Sequence, residues 1–336
     1  MKAVVLVGGE GTRLRPLTET IPKPLIPLVD RPFLHHVLDH LARHGVEEAI
    51  MASSYLEEAF ASFIGERRGP PAVTWVTERT PLDTAGAIAN AARGVDETFF
   101  VLNGDVLTDL DLGALVAGHR EAGAVATISV AKVRDARPYG LVTLSQDGRV
   151  LEFREKPAEP IAGLVNAGTY VLEPAALRGV AAGQPVNIER EVFPRLVAEG
   201  VPVFGHVSSH YWMDVGTPEK YLQATFDVLE GRIRGLSYVA PHVDPSADVS
   251  LLAHLGRWVV VGPEGEVGEQ AEVEDSVLLA GAKIGPRARV RDSIVGPGAS
   301  VGEGAVVGGA VLAEGAVIPP GSESEGARVS AGEVLR

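Results

Sequence analysis

The residues best suited to chemistry stand at the start of the chain, where an apolar run, Val4–Val7, opens into Gly8-Gly9-Glu10-Gly11-Thr12-Arg13. Lys23 follows inside Pro22-Lys23-Pro24. Glycines let backbone N–H groups turn toward an anion with no side chain in the way, and the two cations can neutralise a polyphosphate. Two familiar phosphate loops fail on spacing. A dinucleotide fingerprint starts the same way, with Asp30 near the place of its ribose-binding acid. Its third glycine is missing, however, and Pro16, Pro22, Pro24 and Pro27 forbid the long helix that should follow. A Walker loop puts Lys-Ser/Thr directly after its last glycine, whereas Lys23 comes twelve residues after Gly11. Farther along, Asn103-Gly104-Asp105 ends an apolar run and presents a carboxylate, and Trp212-Met213-Asp214-Val215-Gly216-Thr217-Pro218 presents another. Between them, Phe153-Arg154-Glu155-Lys156-Pro157 sets a cation beside an acid.

In this order, Gly-Gly-x-Gly-Thr-Arg-Leu-x-Pro-Leu-Thr, Pro-Lys-Pro-Leu, Phe-x-Glu-Lys-Pro and Trp-x-Asp-x-Gly-Thr resemble the signature of the sugar-nucleotide pyrophosphorylases, which join a sugar 1-phosphate to an NTP. The resemblance runs through about the first 230 residues. It implies that Asp105 and Asp214 hold Mg²⁺, that Lys156 meets the sugar phosphate, and that Glu155 meets sugar hydroxyls. Gly140 and Asn166, in Tyr139-Gly140 and Asn166-Ala167-Gly168, are similar to segments lining the sugar pocket. Arg13 and the amides of Gly8, Gly9, Gly11 and Thr12 would take the departing β,γ-phosphates, Lys23 the α-phosphate, with Asn103 and Gly104 also on the nucleotide side. The implied reaction is in-line displacement at the α-phosphorus. Positioning and charge stabilisation carry it, because the attacking phosphate is already anionic.

Base choice points to Pro81-Leu82-Asp83-Thr84-Ala85-Gly86-Ala87, which resembles the Gly-Thr-Ala-Gly-Ala loop of the mannose-1-phosphate guanylyltransferases. Thymidylyltransferases place glutamine where Gly86 stands, and a glycine is expected to leave room for a purine. GTP and mannose 1-phosphate are the favoured pair, with glucose-1-phosphate thymidylyltransferase as the alternative. Asp83 departs from the pattern where glycine is usual, and aspartate tolerates left-handed geometry. Asp83 or Glu78 is expected to accept from the guanine N1–H and N2–H₂ edge; alternatively, Asp83 caps the helix beginning at Thr84.

Composition bounds the rest. With 336 residues, 46% hydrophobic and 22% charged, the chain has the profile of a soluble globular protein with length for two domains. A net charge of −14 with dispersed Lys and Arg argues against nucleic-acid binding, so anionic ligands need local cations or metal. The lack of cysteine excludes disulfides and thiolate chemistry. No membrane partner is expected, since the apolar start is too short for a signal peptide core; the expected location is cytoplasmic. A noncatalytic sugar-nucleotide sensor remains a second alternative. Loss of activity should erase the charged groups, and Arg13, Lys23, Asp105, Lys156 and Asp214 all remain.

The elements that must position these groups alternate. Strands are expected at Lys2–Val7, Ala49–Ser53, Val73–Thr77 and Thr98–Leu102, with helices at Phe33–His44, Leu56–Arg67, Thr84–Arg93 and Asp111–Ala122. Strands follow at Ala124–Lys132, Gly140–Leu144, Val150–Arg154 and Gly168–Leu172, then a helix broken near Pro194 within Ile188–Glu199, and a helix Pro218–Glu230. The pattern is α/β, a Rossmann-like doubly wound domain with ligands at the carboxyl ends of its strands. From Val243 the character changes: aliphatics fall at 243, 249, 255, 261, 267, 273, 278, 284, 290, 295, 301, 307, 312 and 318, a seventeen-residue period from Val261 onward. Such hexapeptide repeats predict a left-handed parallel β-helix. The expected domains are catalytic over 1–231, linker over 232–242 and β-helix with a C-terminal cap over 243–336. Acyltransferases on this scaffold use a histidine base, and none follows His254. The β-helix is therefore expected to assemble a homo-oligomer.

Overall fold

The computed structural model describes residues 1–53, 60, 63, 65, 68–78, 80–181 and 183–335. The chain divides into two compact units, Met1–Gly9 with Leu34–Trp212, and Glu10–Phe33 with Met213–Arg336.

The first unit is built on β1 (Lys2–Leu6), α1 (Phe33–Arg43), β2 (Glu48–Ser53), β3 (Ala72–Thr77), α2 (Asp83–Ala91), β4 (Phe99–Asn103), α3 (Leu112–Glu121), β5 (Ala126–Val133), β6 (Gly140–Leu144), β7 (Val150–Glu155), β8 (Gly163–Leu172), α4 (Phe193–Ala198) and β9 (Val203–Val207). Its strands form one nine-stranded mixed sheet. Within it β3, β2, β1 and β4 are adjacent and parallel. Strands buried on both faces read as continuous apolar runs, and Phe99-Phe100-Val101-Leu102 is one. The order reverses between β1 and β4, which makes their carboxyl ends the switch point where such sheets bind ligands. Past β4 the sheet turns antiparallel through β8, which also pairs β6 and β5, and β9 joins β5 in parallel. One side packs Val4, Ile50, Ile88, Phe99, Tyr170 and Phe193 into a common core.

Most expected elements recur within one or two residues. Strand β8 is longer, starting at Gly163 rather than Gly168. Gly168, with φ +71°, lies in an irregularity between Asn166 and Tyr170, inside a ladder that continues on both sides. The break near Pro194 resolves as a π turn over Ile188–Val192 running into α4, with Pro194 in the first turn, where a missing N–H costs nothing. Strand β9 was not expected, because Gly205 interrupts its apolar pattern. The expected helix Leu56–Arg67 lies outside the described residues, save Phe60, Phe63 and Gly65.

In the second unit, residues 242–329 wind into three parallel sheets of two- and three-residue strands. The register stacks Val243, Val261, Leu278, Val295, Leu312 and Val329 in one column and Val249, Val267, Ile284, Val301 and Ile318 in another. The third carries Leu255, Val273, Val290 and Val307 and ends on Ser324. This is the β-helix that the repeat predicts. Val261 and the later aliphatics are buried, whereas Val243 is exposed because the first coil has a neighbour on one side only. At two of the three five-residue intervals the corner is filled by serine, and at the third by Ala310. Ser293 is fully buried, its Oγ donating to Arg291 O (2.6 Å) and accepting from Ala310 N (3.0 Å), as Ser276 Oγ accepts from Ser293 N (3.1 Å). Helix α5 (Pro218–Leu229) belongs to this unit, with Thr217 as its cap, and stacks Phe226 on Trp258. The prolines break Glu10–Phe33 into three short 3₁₀ turns and a two-residue antiparallel ladder, Pro27–Leu28 with Arg31–Pro32, and Tyr221 of α5 donates to Pro27 O at 2.6 Å.

Replacing Ser293 by alanine leaves the buried Ala310 N–H without its acceptor. The variant should unfold about 1–3 kcal/mol more easily than the parent. Chemical denaturation followed by circular dichroism reads this directly, with kcat unchanged.

Candidate active site

Strands β1 and β4 lie side by side with Leu6 opposite Asn103, so Gly8 and Gly9 leave one strand beside Asn103-Gly104-Asp105 leaving the other. Gly104 N donates to Leu6 O at 2.9 Å. A Cβ at Gly104 would lie 2.7 Å from that same oxygen and 2.8 Å from Val7 Cγ1, so only glycine allows the approach. The half-buried Asp105 is thereby placed next to the glycine loop.

The residues expected on the sugar side, Gly140, Glu155 and Asn166, lie on β6, β7 and β8. A Cβ at Gly168 would strike the Asn103 side chain at 2.6 Å, and Gly168 N donates to Asn166 Oδ1 at 2.9 Å, so Asn103 and Asn166 flank one glycine. Gly140 is covered by the Phe153 ring and by Glu155 Oε2, 2.6 and 2.9 Å from where its Cβ would be. Lys156 has φ +46°, its N–H donates to Tyr139 O (3.0 Å), and its ammonium lies 3.6 Å from Glu155 Oε1. Trp212 Nε1 donates to Ala167 O (2.9 Å), and Tyr139 meets the Trp212 ring edge-on.

The base-choice loop is braced by residues 184–189. Asp83 adopts the left-handed conformation, φ +54°, and its Oδ1 accepts from Thr84 N (2.7 Å) and Asn187 Nδ2 (2.9 Å). The expected cap is not what the geometry displays: α2 begins at Asp83 itself, its cap position is Leu82 with no side-chain cap bond, and the Asp83 carboxylate holds the next N–H, that of Thr84, and the Asn187 amide. Glu78 Oε2 accepts from Leu82 N at 2.9 Å, and burial pushes this carboxyl above its ordinary range. At Gly86 a Cβ would lie 2.7 Å from Gln184 O, and Ala85 N and Gly86 N both donate to Val186 O. The space beside this glycine is filled by backbone, so its lack of a side chain serves close packing with residues 184–186 rather than an open slot.

In the second unit Gly11 has φ +62°, with Thr18 Cγ2 and Lys23 Cβ 2.9 and 3.1 Å from its Cβ direction. Thr18 Oγ1 donates to Gly11 O at 2.9 Å. The 3₁₀ turn Thr12–Leu14 carries the exposed Arg13 to the buried Gly216, where a Cβ would lie 2.6 Å from Arg13 Nη2 and 3.0 Å from Asp214 Oδ1. Asp214 Oδ2 accepts from Lys220 Nζ at 3.2 Å. Residues from distant parts of the chain, Gly11, Thr12, Arg13 and Lys23 on one side and Asp214 on the other, are thus packed in one unit.

Sequence reasoning missed Asn187, Glu189 and Tyr170, which hold the loop and Asn166 in place. Asn187 ahead of a helix start was their one visible signal, as a cap accepting from Glu189 N and Arg190 N.

A glycine loop and a carboxylate at the switch point of an α/β sheet define a nucleotide-handling protein of the phosphoryl- or nucleotidyl-transfer class. The nucleotidyl transferase family matches residues 2–231, and the chain belongs to it. Residues 239–330 match the GMPPB C-terminal domain. The chain is 38% identical over 290 residues to a mannose-1-phosphate guanylyltransferase of Mycobacterium tuberculosis, covering 84% of this chain and 80% of that protein. It is 33% identical over 300 residues to a UTP–glucose-1-phosphate uridylyltransferase of Synechocystis, covering 84% and 77%. A crystal structure of HddC from Yersinia pseudotuberculosis superposes with a TM-score of 0.59 at 29% identity, over 67% of this chain and 97% of that one; the same protein is also solved complexed with GMP-PN. Nucleotidyltransferases of this family generally use a divalent metal.

The crowding at Gly216 generates a direct test. Gly216→Ala must displace the Arg13 guanidinium or the Asp214 carboxylate, and kcat should fall at least about tenfold, equivalent to about 1.4 kcal/mol of transition-state stabilisation. Steady-state kinetics beside a melting curve separates this from loss of fold.

Proposed function

We propose that this protein transfers GMP from GTP to mannose 1-phosphate, giving GDP-mannose and pyrophosphate. The observation that carries the reading is the complete set of charged groups the reaction needs, Arg13, Lys23, Asp105, Lys156 and Asp214, in a chain 38% identical to a mannose-1-phosphate guanylyltransferase over most of its length.

An oxygen of the sugar 1-phosphate attacks the α-phosphorus of GTP, a new P–O bond forms, and the bond to the β-phosphate bridging oxygen breaks. Lys156 orients the attacking phosphate; its left-handed backbone, held by Tyr139 O, directs it away from the strand. Glu155, Gly140 and Asn166 read the sugar. Lys23 offsets charge on the α-phosphate, while Arg13 and the amides of Gly8, Gly9, Gly11 and Thr12 receive the departing pyrophosphate. Asn103, Gly104, Thr84, Gly86, Glu78 and Asp83 belong to the nucleotide side. No protein base is required.

The donor chemistry fits Mg²⁺. Asp105 and Asp214 are half-buried carboxylates, hard oxygen donors of the kind this ion takes. Mg²⁺ takes one or two protein carboxylates and fills its remaining positions with phosphate oxygens and water. Bound there, it would neutralise charge on the reacting phosphate oxygens.

We further propose a catalytic domain over 1–231, a linker over 232–242, and a β-helix over 243–336 that assembles a cytoplasmic homo-oligomer. Among the described residues no helix is long and apolar enough to cross a membrane.

Pyrophosphate release measured over four NTPs and several sugar 1-phosphates, with Mg²⁺, should be fastest for GTP with mannose 1-phosphate. EDTA should abolish it, and Arg13→Ala should lower kcat about 10²–10³-fold, as for loss of a charge-stabilising donor. A fastest rate with dTTP and glucose 1-phosphate would replace this reading, and silence across the matrix would support a noncatalytic sensor.

A further inference from the structure

Between the base-choice loop and the sugar-side amide runs a partly buried chain of hydrogen bonds, centred on the fully buried Tyr170, that the mechanism above leaves unused. Thr84 Oγ1 donates to Glu189 Oε2 (3.0 Å), Tyr170 OH donates to Glu189 Oε1 (3.2 Å), and Asn166 Nδ2 donates to Tyr170 OH (2.7 Å). Backbone N–H groups pin both ends. Ile188 N donates to Thr84 Oγ1 (2.8 Å), so the threonine must send its single hydrogen onward to Glu189. Gly168 N donates to Asn166 Oδ1 (2.9 Å), so the amide must turn its NH₂ toward Tyr170, whose single hydrogen is then left for Glu189. Both directions converge on one carboxylate, a group that can accept twice. A glutamine there could accept on one oxygen only.

We propose that Glu189 is a positioning residue that couples the two substrates, its carboxylate fixing Thr84 on the nucleotide side and, through Tyr170, the amide of Asn166 on the sugar side. The assignment rests on the guanylyltransferase reading, with Thr84 and Asn166 in their proposed roles. Tyr170 is fully buried and packs edge-on against Phe193, which keeps the intermediate link rigid. Burial raises the Glu189 carboxyl above its ordinary range, opposed by the hydrogen bonds from Thr84 and Tyr170 and reinforced by the charge of Glu155. A fixed Asn166 has one N–H and one lone pair left for sugar hydroxyls. Filling the nucleotide side therefore orders the sugar side, and by linkage the effect is reciprocal.

The test is calorimetric binding of mannose 1-phosphate to the full-length protein with Mg²⁺, with and without a nonhydrolysable GTP analogue, beside KM values for both substrates. In the parent the analogue should tighten mannose 1-phosphate at least about fivefold. Glu189→Gln should bring that factor to within twofold of unity and raise both KM values. Tyr170→Phe, which keeps the ring against Phe193, should abolish the coupling and raise the KM for mannose 1-phosphate while leaving that for GTP unchanged. A coupling factor unchanged in Tyr170→Phe, or absent from the parent, overturns the proposal, as does a Tyr170→Phe variant whose two KM values move together. If Glu189→Gln does not fold, Tyr170→Phe decides alone. A parent that releases no pyrophosphate from GTP and mannose 1-phosphate removes both readings; an active parent with unaltered variants removes only the coupling.

Discussion

The nucleotide side of the first unit depends on one close backbone approach, Gly104 N to Leu6 O, at the carboxyl ends of β1 and β4. A Cβ there would stand 2.7 Å from the carbonyl oxygen, well inside any tolerated contact, so the register that sets Leu6 opposite Asn103 requires glycine. That register sets Gly8 and Gly9 beside Asp105. The same device recurs where Asn103 crosses Gly168 and where Glu155 crosses Gly140. At Gly168 the Asn103 side chain, and at Gly140 the side chains of Phe153 and Glu155, occupy the volume a Cβ would need.

Electrostatics explains why so few cations suffice. A chain of net charge −14 that binds polyphosphates cannot rely on its overall field, which repels them. Positive charge is instead concentrated locally: Arg13 stands over Gly216 beside Asp214, and Lys220 pairs with the other oxygen of that carboxylate. Lys220 lies on the helix capped by Thr217, so the helix start fixes the orientation of the Asp214 carboxylate. The β-helix adds a different kind of rigidity. Its last coil reaches the segment carrying Arg13, through Ser330 Oγ and Ala331 N to Glu19, and Arg328 pairs with Glu219 at the start of α5.

Much of this was legible from sequence because it is periodic or local. The seventeen-residue repeat gives every inward column of the β-helix, since each coil repeats the same burial problem. The α/β alternation gives the order of elements, and glycines, prolines and charges in tight motifs mark the phosphate and sugar groups. Asp83 in left-handed geometry was legible for the same reason, as a short polar side chain can bond its own next N–H. What failed was non-local. Strand β9 depends on pairing with β5, and β8 extends past Asn166 because β5 and β6 continue the ladder beyond its irregularity.

The sequence by itself determined the reaction chemistry on offer, the two architectures and the positions of the charged residues, because these follow from residue type, spacing and period. Only the tertiary structure decided that the space beside Gly86 is filled by Gln184 rather than left open. It alone decided that Thr84 and Asn166, far apart in the chain, share Glu189, the latter through Tyr170. Hydrogen-bond direction at this partly buried carboxylate is set by which backbone N–H groups face its partners. That is a property of packed strands and helix starts, and no spacing in a linear chain encodes it.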